Sequence, residues 1–208
     1  MKKFIVGILI VGMMAALTAC GSSSKGGPLP AQEVEEGSDY VEISFHYEKQ
    51  SGLGSNQFAV WIEDENGDVV RTLYATYFIA NGGYTRRPEA IPTWVEKSGV
   101  KSMETDEVDA ITGATPDTSD LSFLWDLTDQ DGNSVEPGEY TYYVEGTMYM
   151  SNRFLFTGVI DTSGDEVTTT ASAEYIYEGD SEKDTLSEES SQNSMITDVT
   201  ASYVIHSN

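Results

Sequence analysis

Cysteine is almost absent from this sequence, with a single one, Cys20, in 208 residues. No intramolecular disulfide can form, so the fold must hold by packing and hydrogen bonding alone. Basic residues are nearly as scarce: 11 lysines and arginines stand against 35 aspartates and glutamates, a formal net charge of −24. A surface of that sign repels the phosphates of nucleic acid and anionic lipid headgroups alike. The two histidines, His46 and His206, have no cysteine and no ordered set of acids beside them, so no metal-ligand spacing is present. A Gly-x-Ser-x-Gly elbow and a phosphate-binding glycine loop are missing too, which leaves hydrolase and kinase chemistry without residues to carry it. No long window keeps a 3.6-residue apolar period, and this excludes a mainly helical core.

What is present begins with Lys2-Lys3, an apolar stretch over 4–16, and Leu17-Thr18-Ala19-Cys20. The apolar stretch is shorter than the ~20 residues that span a bilayer, and its layout is that of a secretory signal. Leu17-Thr18-Ala19-Cys20 resembles the bacterial lipobox, whose cysteine is diacylated and becomes the first residue. The resemblance implies a signal peptide over 1–19 and a lipid on Cys20. It also implies an extracytoplasmic protein anchored to a membrane, at the cell surface or in the periplasm. Loss of Lys2 and Lys3 leaves 9 of the 11 basic residues against 35 acids, a net charge near −26. Membrane contact is then expected through the lipid rather than the surface. Residues 20–38, rich in Gly, Ser, Pro and Glu, read as a flexible stalk.

Residues 39–208 are expected to form one domain. From Tyr40 apolar and polar residues alternate, the mark of a half-buried strand. Further strands are expected at 57–63, 69–77, 121–127, 140–150, 153–161, 167–177 and 196–206. One short helix is expected over Pro92–Lys97, with Pro92 suited to a first helical turn. Asn66-Gly67 and Asp131-Gly132 signal hairpin turns between apolar runs. Read as calcium loops they would place Leu73 and Gly138 at the twelfth position, where a bidentate acid is needed, so the turn reading is preferred. Short strands at turn spacing predict an all-β fold, an antiparallel immunoglobulin-like sandwich with a short helix and long loops. The run from Leu121-Ser122-Phe123-Leu124-Trp125 to Pro137-Gly138-Glu139-Tyr140 resembles the hairpin of flagellar hook-capping immunoglobulin-like modules. Residues 178–195, acidic and serine-rich, read as a mobile loop.

One segment, Asp109-Ala110-Ile111-Thr112-Gly113-Ala114-Thr115-Pro116, fits no turn pattern between strands. On its residues alone it reads equally as a polar turn before the Leu121 strand or as an exposed acceptor loop. Gly113 permits close backbone approach, Ala114 adds no bulk, and Pro116 biases Thr115 toward an extended backbone. The segment resembles the flavin-attachment motif of the FMN-binding domains of sodium-pumping quinone reductase and related complexes. There a flavin transferase moves FMN from FAD onto the last threonine as a phosphoester. The resemblance implies Thr115 as acceptor, Asp109 and Thr112 as recognition residues, and Gly113-Ala114 as the small pair beside it. Those attachment domains are α+β, so the motif here stands on a different scaffold.

A wider resemblance covers about residues 40 to 161. Gln57-Phe58-Ala59-Val60-Trp61-Ile62, Arg71-Thr72-Leu73-Tyr74, Gly82-Gly83-Tyr84-Thr85-Arg86-Arg87-Pro88 and Pro92-Thr93-Trp94-Val95 occur in this order. With the Asp109–Pro116 segment and the Trp125 run they resemble a family of predicted periplasmic proteins, domain of unknown function 2271. That family implies flavin transferases and membrane electron-transfer proteins as partners. Arg86 and Arg87 are candidate partners of a flavin phosphate, because a planar fork suits phosphate better than lysine does; equally, they neutralise nearby acids. Tyr84, Trp94 and Trp125 are a candidate ring face, with core packing the preferred reading. Two functions follow in competition. One is a carrier of covalent FMN passing electrons outside the cytoplasm, and not a stand-alone enzyme. The other is an immunoglobulin-like binding or structural module of a membrane complex. Cation capture by the acidic surface is a weaker third.

Overall fold

Alternation is what makes the first strand. In a computed structural model, which describes residues 34–51, 56–148, 152–177 and 195–206, β1 (Tyr40–Tyr47) buries Val41, Ile43, Phe45 and Tyr47. It turns Glu42, Ser44 and His46 toward the other face, as a period of two requires. The remaining strands, in chain order, are β2 (Gln57–Glu63), β3 (Val69–Thr76), β4 (Thr112–Gly113), β5 (Ser119–Trp125) and β6 (Glu139–Met148). They are followed by β7 (Asn152–Asp161), β8 (Val167–Thr170), β9 (Ser172–Tyr177) and β10 (Ile196–Val204). One sheet has the order β5-β1-β10-β8 and the other β4-β3-β2-β6-β7-β9. Every pairing is antiparallel except β3 with β4.

The inner faces of the two sheets close on one aromatic-rich core. Phe58 stacks on Tyr74 at 4.7 Å and on edge against Phe45 at 5.9 Å, and Phe45 lies parallel to Phe123. A second cluster is on the far side of the six-stranded sheet. There α1 (Tyr77–Ala80), α2 (Pro92–Lys97) and α3 (Thr105–Ile111), with two short 3-10 turns, cover Ala59, Trp61 and Ala75. Both faces of β2 are therefore covered, and all seven of its residues are buried. Side chains such as Ile79, Trp94 and Ile111 seal the layer, each contributing on the order of 1.5–3 kcal/mol on burial.

Buried carboxylates hold this layer in place. Glu145, fully buried in β6, accepts the amides of Thr93 (3.2 Å) and Trp94 (2.9 Å) at the first turn of α2 and pairs with Arg153. Glu63 accepts the Trp61 indole N–H (2.7 Å) and the Lys97 ammonium (2.6 Å) at the other end of α2. The Trp94 indole donates to Thr72 (3.1 Å).

The two-sheet, mainly β architecture and the helix over Pro92–Lys97 agree with expectation. Both glycine turns do as well. Asp64 Oδ1 accepts the amides of Asn66 and Asp68, Asp129 Oδ1 accepts those of Asp131 and Asn133, and Gly67 and Gly132 take positive φ. Other expectations need correction. The expected strand over 167–177 is two strands, because at Ala171 the chain crosses from one sheet to the other. The run from Leu121 to Tyr140 is not a hairpin: β5 pairs with β1, while β6 pairs with β2 and β7. Leu127, at φ 58°, turns the chain between the sheets. The single expected helix is joined by α1 and α3. Met195, expected in the acidic loop, is buried beside β10. Cys20, the expected signal peptide, the expected stalk up to residue 33 and residues 178–194 of the expected mobile loop lie outside the described residues.

Candidate functional site

The flavin-like segment starts in a helix. Glu104 and Glu107 form a reciprocal capping box, the Glu104 amide donating to Glu107 Oε2 at 2.6 Å, and this starts α3. Val108 and Ile111, three apart, face the core, and Asp109 and Ala110 are exposed. The chain then straightens, and Thr112 and Gly113 pair in parallel with Ala75 and Thr76. Beyond the pair, the Tyr74 hydroxyl donates to the carbonyl of Ala114 (3.1 Å) and lies 3.4 Å from that of Gly113. Burial, with the nearby Tyr47 phenol, raises the Tyr74 pKa, so its hydroxyl stays a donor. On the other side the Lys49 amide donates to Thr118 Oγ1 (3.0 Å) and its ammonium pairs with Asp117 (3.1 Å). Ala114 is exposed, Thr115 half-buried and Pro116 buried. The segment around Thr115 is thus held through its backbone on the Gly113–Ala114 side and through the Asp117 and Thr118 side chains on the other, while Ala114 is open to solvent.

Strand directions place this segment at one end of the sandwich. The Tyr47 end of β1, the Thr76 end of β3, the start of β2 and the start of β5 meet there. The segment 81–91 crosses the same end, from α1 to Ile91, whose amide donates to Thr147 Oγ1 (2.9 Å). Arg86 and Arg87 are on that segment, their amides donating to the Gly83 carbonyl at 2.9 Å each. The two arginines differ. Arg87 is half-buried; desolvation lowers its pKa and the Glu89 carboxylate acts against that. Arg86 is exposed and, among the described residues, is in no ion pair.

Arg86 also lines a cleft of about 300 Å³ with Tyr77, Phe78, Asn81, Gly82 and Gly83. Tyr77 is 47% and Phe78 40% exposed, which makes them two of four large apolar side chains left exposed among the described residues. Asn81 Nδ2 donates to the Tyr77 hydroxyl at 2.7 Å and fixes the ring. Tyr77 and Ala114 are each one residue past the Thr76–Gly113 pair, so the cleft wall and the motif leave the same strand pair.

The structure therefore brings Thr112, Gly113, Ala114, Thr115 and the Arg86 segment to one end of the molecule, with Asp109 one helical turn back on an exposed face. It does not make a ring face from Trp94 and Trp125, both 0% exposed, and Tyr84 packs partly buried against the helical cluster. Sequence reasoning missed Tyr74, Tyr77 and Phe78. A signal for the last two existed: adjacent aromatics at the end of an alternating strand cannot both face the core.

The model of a family described as predicted periplasmic protein, domain of unknown function 2271, matches residues 40–178. The match takes in β1 through β9 with the whole helical layer and leaves β10 outside. No curated protein and no solved structure matches the chain.

Proposed function

The chain belongs to the family of predicted periplasmic proteins known as domain of unknown function 2271, and on that footing we propose that it is a lipid-anchored carrier of covalent FMN. Thr115 takes the phosphate, and Cys20 carries the anchor. The observation that carries the reading is the backbone at the motif. It is held by Tyr74 and by the Ala75–Thr112 and Thr76–Gly113 pairs, and Ala114 is left exposed beside the acceptor hydroxyl.

The residues fit the group. A hydroxyl that attacks a bulky dinucleotide needs small neighbours and a fixed backbone, and Gly113-Ala114 with Tyr74 supply both. The Thr115 hydroxyl forms a bond to the phosphorus of the FMN half of FAD. The pyrophosphate bond breaks, AMP leaves, and the hydroxyl proton passes to a base of the transferase or to water. Arg86 is an exposed cation at that end in no ion pair among the described residues, placed to offset phosphate charge in a chain of net charge −24. Arg87, facing Glu89, has a structural role. Covalent attachment suits this electrostatics, because the overall field disfavours holding an anionic cofactor by equilibrium binding. When bound, FMN supplies one- and two-electron transfer; the protein fixes its exposure and potential.

Partners are then a flavin transferase and membrane electron-transfer proteins. The test is flavin fluorescence in a denaturing gel, where a covalent flavin is freed from the fold, of the full chain co-expressed with a flavin transferase. Wild type and Thr115→Ser are expected to fluoresce and Thr115→Ala is not. Equal fluorescence of Thr115→Ala and wild type overturns the assignment. A dark wild type beside a transferase active on another substrate favours the immunoglobulin-like binding module.

A further inference from the structure

We infer that the cleft of Tyr77, Phe78, Gly82 and Arg86 is the seat of the isoalloxazine ring of the flavin carried on Thr115. The inference rests on the Thr115 reading and deepens it by naming where the ring goes. Three observations converge. The cleft, about 300 Å³, is at the lower end of the range for ligand sites, which suits a planar ring and not a whole nucleotide. Its apolar walls are two aromatic rings left exposed where a soluble chain would ordinarily bury them. Its first wall residue, Tyr77, directly follows Thr76, the parallel partner of Gly113, so cleft and motif leave the same strand pair at the same end of the molecule.

The cleft is also built to keep its shape. Asn81 holds the Tyr77 hydroxyl, and Thr85 Oγ1 donates to the Gly82 carbonyl at 2.8 Å. Gly83 sits so tightly against α1 that an added Cβ would lie 2.1 Å from the Phe78 carbonyl oxygen. A rigid aromatic wall costs little entropy on binding, and stacking on it is the interaction a planar heteroaromatic makes best. Arg86 gives the same cleft one cationic edge, so the phosphate of the flavin and its ring are met by different groups. The expected outcome on the flavin is quenched fluorescence and restricted access for soluble quenchers.

The experiment uses free riboflavin and free FMN as probes, titrated into the full chain and followed by flavin fluorescence polarisation. Wild type binds both reversibly, FMN the more weakly of the two because the net negative charge opposes its phosphate. The Tyr77→Ala/Phe78→Ala variant loses roughly tenfold in affinity for both. Arg86→Gln weakens FMN several-fold more than riboflavin, which has no phosphate. Thermal melts of the variants confirm folding, since both aromatics are exposed. A wild type that binds neither probe, or a Tyr77→Ala/Phe78→Ala variant that binds both as well as wild type, overturns the cleft assignment whatever the covalent assay shows. Loss of covalent flavin in Thr115→Ala tests the carrier reading separately. With covalent FMN on Thr115, an unquenched, freely accessible ring in wild type also overturns the cleft while sparing the carrier.

Discussion

Tyr74 connects the core to the motif through one hydroxyl. Its ring is stacked on Phe58 inside the sandwich, and its hydroxyl emerges to meet the Ala114 carbonyl. Tyr74→Phe keeps the ring and removes the donor. The expected cost is about 1 kcal/mol in urea denaturation, the usual loss for one hydrogen bond. Covalent flavin loading is expected to fall while the fold persists. Loading equal to wild type would show that the backbone at Thr115 is fixed without this bond. The two glycines of the cleft separate space from conformation. Gly82 has positive φ and open space where a methyl would go, so Gly82→Ala carries only backbone strain, on the order of 1–2 kcal/mol. Gly83→Ala drives a methyl into the Phe78 carbonyl and displaces α1 itself. Denaturation midpoints of both variants are expected to fall, and free-flavin binding is expected to suffer more in Gly83→Ala, because only there must the Phe78 wall move.

Among the elements, α2 is the one most dependent on buried charge: six residues held over the sheet by the Glu145 carboxylate at its start and the Glu63–Lys97 pair at its end. Glu145→Ala removes the acceptor of two amides and the carboxylate that faces Arg153, so about 3–5 kcal/mol is expected to be lost. Burial holds the Glu145 carboxyl above its ordinary value, despite the amides of Trp94 and Thr93 and the charge of Arg153. The folded chain therefore takes up this proton before the unfolded chain does as the pH falls. Stability from this site rises on going down from its raised native value toward the ordinary carboxylate value. Asp129 has the opposite sign: the Asn133 side chain and amide hold it below its ordinary value. Its contribution is present above the ordinary value and is lost as the pH falls through the lowered one. Denaturation of wild type and Glu145→Gln across the acid range checks this. The variant is expected to lose the acid-side gain; parallel profiles would contradict it. Much of this architecture is legible in the sequence. Alternation marks β1, and the glycine turns and Pro92 mark their elements. The motif residues and Arg86 stand out in the sequence too, but only the strand pairing shows that they share one end of the sandwich. What escapes has physical reasons. Helices of four and seven residues are too short to display a period, although the Glu104–Glu107 spacing and the Val108–Ile111 pair are available cues for α3. Ala171 interrupts no alternation that sequence can show, because the change there is of partner and not of pattern.

At the scale of the molecule the sandwich has two ends, one where the chain enters β1 and one where the motif is. The chain enters β1 at Tyr40, beside Val204, next to the Val41–Trp125 pair, and runs to Tyr47 at the motif end. Seven residue rises of strand separate the two, roughly 23 Å. The chain thus enters the domain at the end opposite Thr115, and on the proposed reading a flavin on Thr115 would be presented away from a lipid on Cys20. Shortening residues 21–38 is expected to leave electron exchange with a water-soluble dye unchanged in stopped-flow reduction and to slow exchange with a membrane reductase. Equal effects on both would contradict a polar arrangement. The net charge of −24 sets a further condition, that a protein partner docking at speed must present a basic face. The central claim is covalent FMN on Thr115, and intact-mass spectrometry with peptide mapping tests it most directly, on the full chain co-expressed with an active flavin transferase. A mass increase of one FMN phosphoester is expected, on the peptide that contains Thr115. An unmodified mass, or an FMN found on another residue, would contradict it.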